Sequence, residues 1–397
     1  MIDFAPTDEQ RALRETARAF ADRELAPAVE RMRAADHAVE PWTVLREPYA
    51  KAVELGFVSV LVPKELGGGG GSCVDLVLVL EELGATDVAF AASYVGLTAT
   101  LFALVARHGT DGQHDAWLEP VRTGRPVLLS GALSEPDRAG SDLFFPGTDA
   151  SVGPQTRARR DGDHWVLDGA KSAFVTNAGV ADAYFVMART RDDAPPAGSL
   201  SMLYTPATAT GVSVGPRTRL SGWATSHHAE VRFDDVRLVS DSLVGSEHGA
   251  GLVFASCPEI AIGLAAAYVG LARAAYEYAR IYASERVSWG APISRQQTVA
   301  MRLAESALDV HSARLVVWDA ACAADADPML GAAKAGLAKV AAVDAAIRCA
   351  QRCVETLGGY GVTEEYPAAR LLNDAWVGWS CDFTRDMLML GASGSWD

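Results

Sequence analysis

The sequence predicts a multidomain α+β protein: an N-terminal helical domain over residues 1–125, a middle β-barrel or sandwich domain over 126–245, and a C-terminal four-helix bundle over 246–397. Three observations predict it. The length, 397 residues, suits two or three domains at roughly 150 residues each. The texture changes twice, near Arg125-Pro126 and again after Gly251, from helical periodicity to short turn-punctuated runs and back. The composition, 49% hydrophobic and 21% charged, supports a large core and excludes a disordered chain.

The elements follow in order. The start, Met1 to Gln10, is acidic and lacks a signal-peptide pattern. Thr7 and Gln10 form a capping-box pattern before Leu13, Ala17 and Phe20, which share one helical face. A second helix is predicted from Trp42 to Leu55, stopped at Gly56. The glycines Gly67 to Gly71 read as a turn, because no Gly-Lys-Ser/Thr follows to make a phosphate loop. Val74–Leu83 and Ala91–Val105 read as buried helices. In the middle region Asp161-Gly162 separates Thr156–Arg160 from His164–Leu167, a hairpin signal. Tyr184–Ala188, Leu200–Thr205, Gly211–Val214 and Ala229–Phe233 are further strands. Then four Ala-rich stretches, Val253–Val287, Gln297–Ala324, Pro328–Leu357 and Thr363–Leu390, predict an antiparallel bundle joined by short loops.

Several functions are disfavoured. Lys+Arg is 35 and Asp+Glu 50, a net charge of −15, which repels nucleic-acid backbones. The longest apolar run, Ile260 to Ala272, falls short of the about 20 residues a membrane span needs. The six cysteines show no CxxC ladder, so they read as reduced thiols of a cytoplasmic protein. His227 and His228 are adjacent and point to opposite faces of a strand, and no HExxH occurs, so no metal site is expected.

Some residues suggest chemistry directly. Ser134 and Thr176 are small hydroxyls at strand ends beside apolar neighbours. Such groups bond the edge of a flat heteroaromatic ring, or cap their own turn. Ser141 follows Gly140, a spacing that lets backbone approach a phosphate or amide. Arg286 reads as a surface arginine or a phosphate fork.

Motifs in order decide how these are read together. Ala132-Leu133-Ser134-Glu135-Pro136 with Gly140-Ser141-Asp142 comes first. Asp168-Gly169 through Phe174-Val175-Thr176-Asn177 follows, then Arg286-Val287-Ser288-Trp289-Gly290 with Gln297. Leu357-Gly358-Gly359-Tyr360-Gly361, Glu365-Tyr366-Pro367 and Asp374-Ala375 close the set. From about residue 5 to residue 390 the chain resembles the acyl-CoA dehydrogenase family. The resemblance implies an FAD enzyme that dehydrogenates an acyl thioester, on CoA or a carrier protein. A carboxylate takes the α-proton and hydride passes to flavin N5.

The resemblance also implies roles. Thr176 touches flavin N5, Phe174 stacks on the ring, and Ser134 binds the pyrimidine side, with Ala132, Leu133 and Thr384 in the same cofactor set. Ser141 contacts the pyrophosphate or the pantetheine arm of the substrate. Arg286 reaches the FAD pyrophosphate across a subunit interface of a homotetramer or homodimer, flanked by Trp289 and Gln297. Gly358 and Gly359 admit the adenosine end, beside Glu355 where the family often has Gln. Electron-transfer flavoprotein is the usual acceptor.

The departures concentrate at the base. The family's Glu-Gly-Thr is here Asp382-Phe383-Thr384, one methylene shorter at the carboxylate, with Phe383 against the substrate in place of glycine. A second family base position falls on Ile260, beside Glu259, so Glu259 and Asp382 both stand as candidates. Asn373 stands where the family has Arg, and Ala261 where it keeps another. The Ser134 and Lys171–Phe174 motifs each carry one extra residue. Three functions therefore stand side by side: a dehydrogenase, other chemistry on the same flavin scaffold (oxidase, monooxygenase or non-redox), and a non-catalytic partner subunit of a hetero-oligomer.

Overall fold

The computed structural model describes residues 5–34, 39–138, 140–145 and 147–393, without the side chains of Ser141 and Phe144. The first region carries α1 (Asp8–Phe20), α2 (Ala26–Ala34), α3 (Pro41–Glu54), α4 (Cys73–Thr86), α5 (Leu97–His108), α6 (Asp111–Trp117) and α7 (Glu119–Thr123). Thr7 and Gln10 close the expected capping box at α1. Ser72 and Asp75 close another at α4. Gly56 takes φ +78 just beyond α3, the left-handed stop that a Cβ disfavours. Two π-helical turns occur, Ala21–Leu25 between α1 and α2, and Phe90–Gly96, which takes up the first part of the predicted Ala91–Val105 helix.

The middle strands are β1 (Leu129–Ala132), β2 (Arg157–Asp161), β3 (His164–Thr176), β4 (Ala183–Arg189), β5 (Leu200–Pro206), β6 (Val212–Val214), β7 (His228–Val239) and β8 (Leu243–Val244). They make one sheet in the order β6-β7-β3-β2-β4-β5-β8, with β1 parallel to β4. The predicted β2–β3 hairpin forms, pairing Asp161 with His164 around Gly162 at φ +62. The β3–β7 ladder shifts register between Lys171 and Val175. This irregularity falls within the Lys171–Phe174 motif.

The last region carries α8 (Ala250–Ala255), α9 (Glu259–Glu285), a hairpin of β9 (Val287–Ser288) and β10 (Ala291–Pro292), then α10 (Gln297–Ala326), α11 (Pro328–Leu357), α12 (Ala368–Ser380) and α13 (Arg385–Ala392). Two of the four predicted helices are broken. The first parts at Ser256-Cys257-Pro258, because Pro258 has no N–H for the helical ladder. The last parts at Cys381–Thr384, where Asp382 and Phe383 take φ +44 and +74.

Helix α4 packs on α9 through glycines. A Cβ at Gly84 would lie 2.3 Å from Ala267 O, and one at Gly270 2.2 Å from Glu81 O. The two backbones therefore touch, and the first and last regions share one apolar core. Phe90–His108 and Ala250–Glu285 are each long and apolar enough to cross a membrane by composition alone, unlike the short run read from sequence. Their apolar windows are 78% and 67% buried inside the protein, where they form that core.

Candidate active site

A cavity of about 760 Å³ opens where the sheet meets the bundle. The ends of β1 and β3, the Phe90–Gly96 turn, α5, the start of α9 and the α12–α13 break all contribute to its wall.

The sheet side begins with a buried pair. Lys171 is fully buried, and its Nζ donates to Glu135 (2.9 Å), Leu133 O (3.0 Å) and Met187 O (2.7 Å). Glu135 also accepts from Gln155 N and Thr156 N. Burial pushes the Glu135 carboxyl up, but Lys171 and these N–H groups outweigh it and bring it below the usual range. The pair ties the end of β1 to β3. Ser134 and Ser172 then share a hydrogen bond of 2.8 Å at the cavity wall. Phe174, within that irregularity, is 61% exposed and faces the cavity.

Thr176 has a more specific setting. Its Oγ1 lies 3.2 Å from His228 Nε2. Ser226 Oγ donates to Trp223 O (2.7 Å), so it accepts from His228 Nδ1 (3.0 Å). Burial, with His227 and Arg217 nearby, pushes His228 down to about 4, so the ring is neutral. Its Nε2 therefore accepts the Thr176 hydroxyl proton, leaving the Thr176 oxygen lone pairs for a ligand. His227, on the opposite face, meets Glu40 at 3.3 Å. Among the described residues no His, Cys, Asp and Glu cluster could hold a metal.

The bundle side presents Asp382, Phe383 and Thr384. Phe383 packs edge-on to Phe254, with ring centroids 6.1 Å apart. Thr384 caps α13 through Met387 N. Asp382 opens onto the cavity, and its carboxyl makes no hydrogen bond or ion pair with the described residues. Asp382 is exposed at the cavity, and desolvation by the surrounding protein pushes its pKa above the ordinary carboxylate value, against the nearby Lys339 ammonium.

The other candidates lie elsewhere. Glu259 does not line the cavity; its neighbour Ile260 does. The Glu259 carboxylate is buried and takes two bonds from Arg107, one of 2.9 Å to Nη1 and one to Nη2. Ala132 is buried within β1 and does not reach the wall, whereas Leu133 does. The Ser141 side chain lies outside the described set, though Gly140 beside it lines the cavity.

Arg286, Trp289, Gln297, Glu355, Gly358 and Gly359 are absent from the wall. Arg286 ends α9 and packs its guanidinium 5.6 Å from the Tyr360 ring. Trp289 sits at the tip of the β9–β10 hairpin with φ +56, followed by Gly290 at +78, the two left-handed residues of a tight hairpin turn. It is 98% exposed. Glu355 pairs with Arg302 at 3.1 Å, which offsets its charge. Added Cβ atoms at Gly358 and Gly359 would meet nothing within 4 Å.

Sequence reasoning did not place His228, Trp223, Trp376 or Lys339 at the site. His228, Trp223 and Trp376 line the cavity. For His228 a strand-end position two residues from Ser226 was the available signal.

Known proteins match this arrangement along its length. Descriptions of the acyl-CoA dehydrogenase N-terminal, middle and C-terminal domains match residues 7–125, 130–236 and 248–378. The chain belongs to the acyl-CoA dehydrogenase family. It is 32% identical over 390 residues to the acyl-CoA dehydrogenase FadE12 of Mycobacterium tuberculosis, covering 97% of this chain and 95% of that one. It is 33% identical over 366 residues to the mitochondrial short-chain specific acyl-CoA dehydrogenase of Bos taurus, covering 91% and 84%. The solved butyryl-CoA dehydrogenase of Megasphaera elsdenii superposes with a TM-score of 0.88 at 29% identity, over 99% of both chains. This member of the family is thus an FAD-dependent oxidoreductase. The cavity fits that cofactor. An uncovered aromatic face at Phe174 and convergent hydroxyls at Ser134, Ser172 and Thr176 suit a flat ring with polar edges.

Proposed function

We propose that the protein removes the α-proton of an acyl-CoA with Asp382 as the base. The observation that supports this most is the contrast among carboxylates. Of the described residues two carboxylates line the cavity, Glu135 and Asp382, and Glu135 is held by Lys171 and two backbone N–H groups. Asp382 is the one without a partner. Its raised pKa makes its anion a stronger base than an ordinary aspartate. Glu259, in a bidentate pair away from the wall, serves to hold α9 to Arg107 of α5.

FAD, when bound, supplies the acceptor for the β-hydrogen. Phe174 offers the ring a face, while Ser134 and Thr176 hold its polar edge. The acyl chain lies among Leu97, Leu101, Leu104, Phe185 and Met202, apolar side chains of the cavity wall. Phe383 and Phe254 flank the thioester.

The Arg286 end belongs to the site of a second copy in a homodimer or homotetramer. Ile260 at the start of α9 lines the cavity, while Arg286 follows its last residue. Twenty-seven residues at 1.5 Å rise separate them by about 40 Å. One dinucleotide whose ring lies at Thr176 does not span that distance within one subunit. Electron-transfer flavoprotein is the proposed electron acceptor.

Anaerobic titration of the FAD-loaded enzyme with a panel of acyl-CoA thioesters tests the reading. Bleaching of the flavin by one acyl class, lost in Asp382→Asn, is expected. Unchanged bleaching in that variant would remove Asp382 as the base.

A further inference from the structure

Lys339, on α11, is 1% exposed. Among the described residues no carboxylate lies within ion-pair distance of its ammonium. Its Nζ instead donates to two backbone carbonyls, Cys381 O and Phe383 O, each at 2.6 Å. These carbonyls stand on either side of Asp382. The turn they belong to is strained, since Asp382 and Phe383 are consecutive left-handed residues with side chains. Among the described residues, no hydrogen bond fixes the Asp382 carboxyl. A buried ammonium is unfavourable without compensation, and here the compensation is the turn that carries the proposed base.

We propose that Lys339 is a positioning residue: its ammonium grips the carbonyls flanking Asp382 and thereby holds this turn closed with the Asp382 carboxyl at the cavity wall. The inference rests on the reading of Asp382 as the proton acceptor. A strained two-residue turn between α12 and α13 would otherwise relax and carry the carboxyl away from the substrate. A displacement of about 1 Å at a reacting group can cost about 10²-fold in rate.

The charge has a second consequence. Burial pushes Asp382 up, and Lys339 opposes that shift. The other groups packed against the turn do not replace it. The Cys381 thiol is pushed up to about 12, chiefly by burial, and the Tyr268 phenol of α9 well above its usual value. Both are therefore neutral. Glu135, Arg138 and His228 line the same cavity, with His228 neutral and Glu135 held by Lys171. Lys339 is the cation that opposes the upward shift which burial gives Asp382.

The test uses the FAD-loaded enzyme and three variants. Lys339→Met removes charge and donors, Lys339→Gln keeps a donor without charge, and Lys339→Arg keeps the charge. Two readouts are taken. One is the Asp382 carboxyl titration by infrared difference spectroscopy with carbon-13 aspartate, assigned by subtraction of Asp382→Asn. The other is the pH profile of flavin bleaching by a reactive acyl-CoA. Lys339→Met is expected to slow bleaching by about 10²-fold and to move the Asp382 titration to higher pH. Lys339→Gln is expected to recover part of the rate while the titration stays displaced, and Lys339→Arg to restore the titration. Should Lys339→Met fail to fold, Lys339→Gln carries the comparison. An Asp382 titration identical to wild type in both neutral variants overturns the proposal, even if the rate falls. Normal bleaching in Asp382→Asn would instead remove the base reading, and the infrared titration would still decide whether Lys339 and Asp382 are coupled.

Discussion

Two carboxylates sit at two breaks in the bundle, and they ended in opposite states. Glu259 follows the Ser256–Pro258 break and is buried with both oxygens taken by Arg107. Asp382 lies in the Cys381–Thr384 break, faces the cavity and has no hydrogen-bond or ion-pair partner among the described residues. Each break puts an acid near the same cavity, since Ile260 and Asp382 both line it. The difference is what meets each carboxylate. A guanidinium fork from α5 neutralises the first and fixes it. Lys339 touches only the backbone around the second, so its carboxyl stays available. A carboxylate saturated by hydrogen bonds is structural; one held by its backbone alone can exchange a proton.

Substitutions at the two breaks should separate them. The largest effect is expected from Asp382→Asn. The rate of flavin bleaching by acyl-CoA should fall by about 10²- to 10⁴-fold, the usual contribution of a general base, with FAD content unchanged by absorbance. Next comes Asp382→Glu, which moves the carboxyl outward by one methylene. Single-turnover bleaching should drop by about 10²-fold if the turn is built for the shorter side chain; a faster variant would show that the turn tolerates either. Glu259→Gln should leave bleaching within a few-fold of wild type. It should instead lower stability by about 3 kcal/mol, the low end for a broken buried pair because Arg107 is partly exposed, measured by urea unfolding of the FAD-loaded enzyme. Loss of bleaching with intact stability would break the comparison.

The smallest effect is a pH signature. The folded pKa of Asp382 is raised above the unfolded value. Folding therefore holds a proton that the unfolded chain gives up. The contribution is fully present below the ordinary carboxylate pKa and is lost as pH rises through the raised one. Asp382→Asn removes that penalty, so its thermal midpoint should exceed wild type at neutral pH and match it in acid. The acid limb of the bleaching profile should lie above the ordinary aspartate range for the same reason.

Much of this was legible in sequence. The Thr7–Gln10 box and the β2–β3 hairpin appear as read, and Ser134 and Thr176 line the cavity, because capping, turn chemistry and strand ends depend on neighbours in the chain. The register shift of β3 against β7 between Lys171 and Val175 was not visible in the sequence. The two helix breaks were harder. Helical periodicity runs through both Val253–Val287 and Thr363–Leu390. Pro258 marks one break, but Asp382 and Phe383 carry no glycine to mark the other.

The sequence by itself determined the order of helical, sheet and bundle regions, the family motifs and a short list of acids. Those follow from periodicity, turn residues and spacing, which are local. Tertiary structure decided which acid faces the cavity. That choice depends on Arg107 reaching Glu259 from 152 residues away, and on Lys339 reaching the carbonyls around Asp382 from 42 and 44 residues away. It also placed a neutral His228 behind Thr176. The partners of a buried charge come from other elements of the fold, and no local pattern names them.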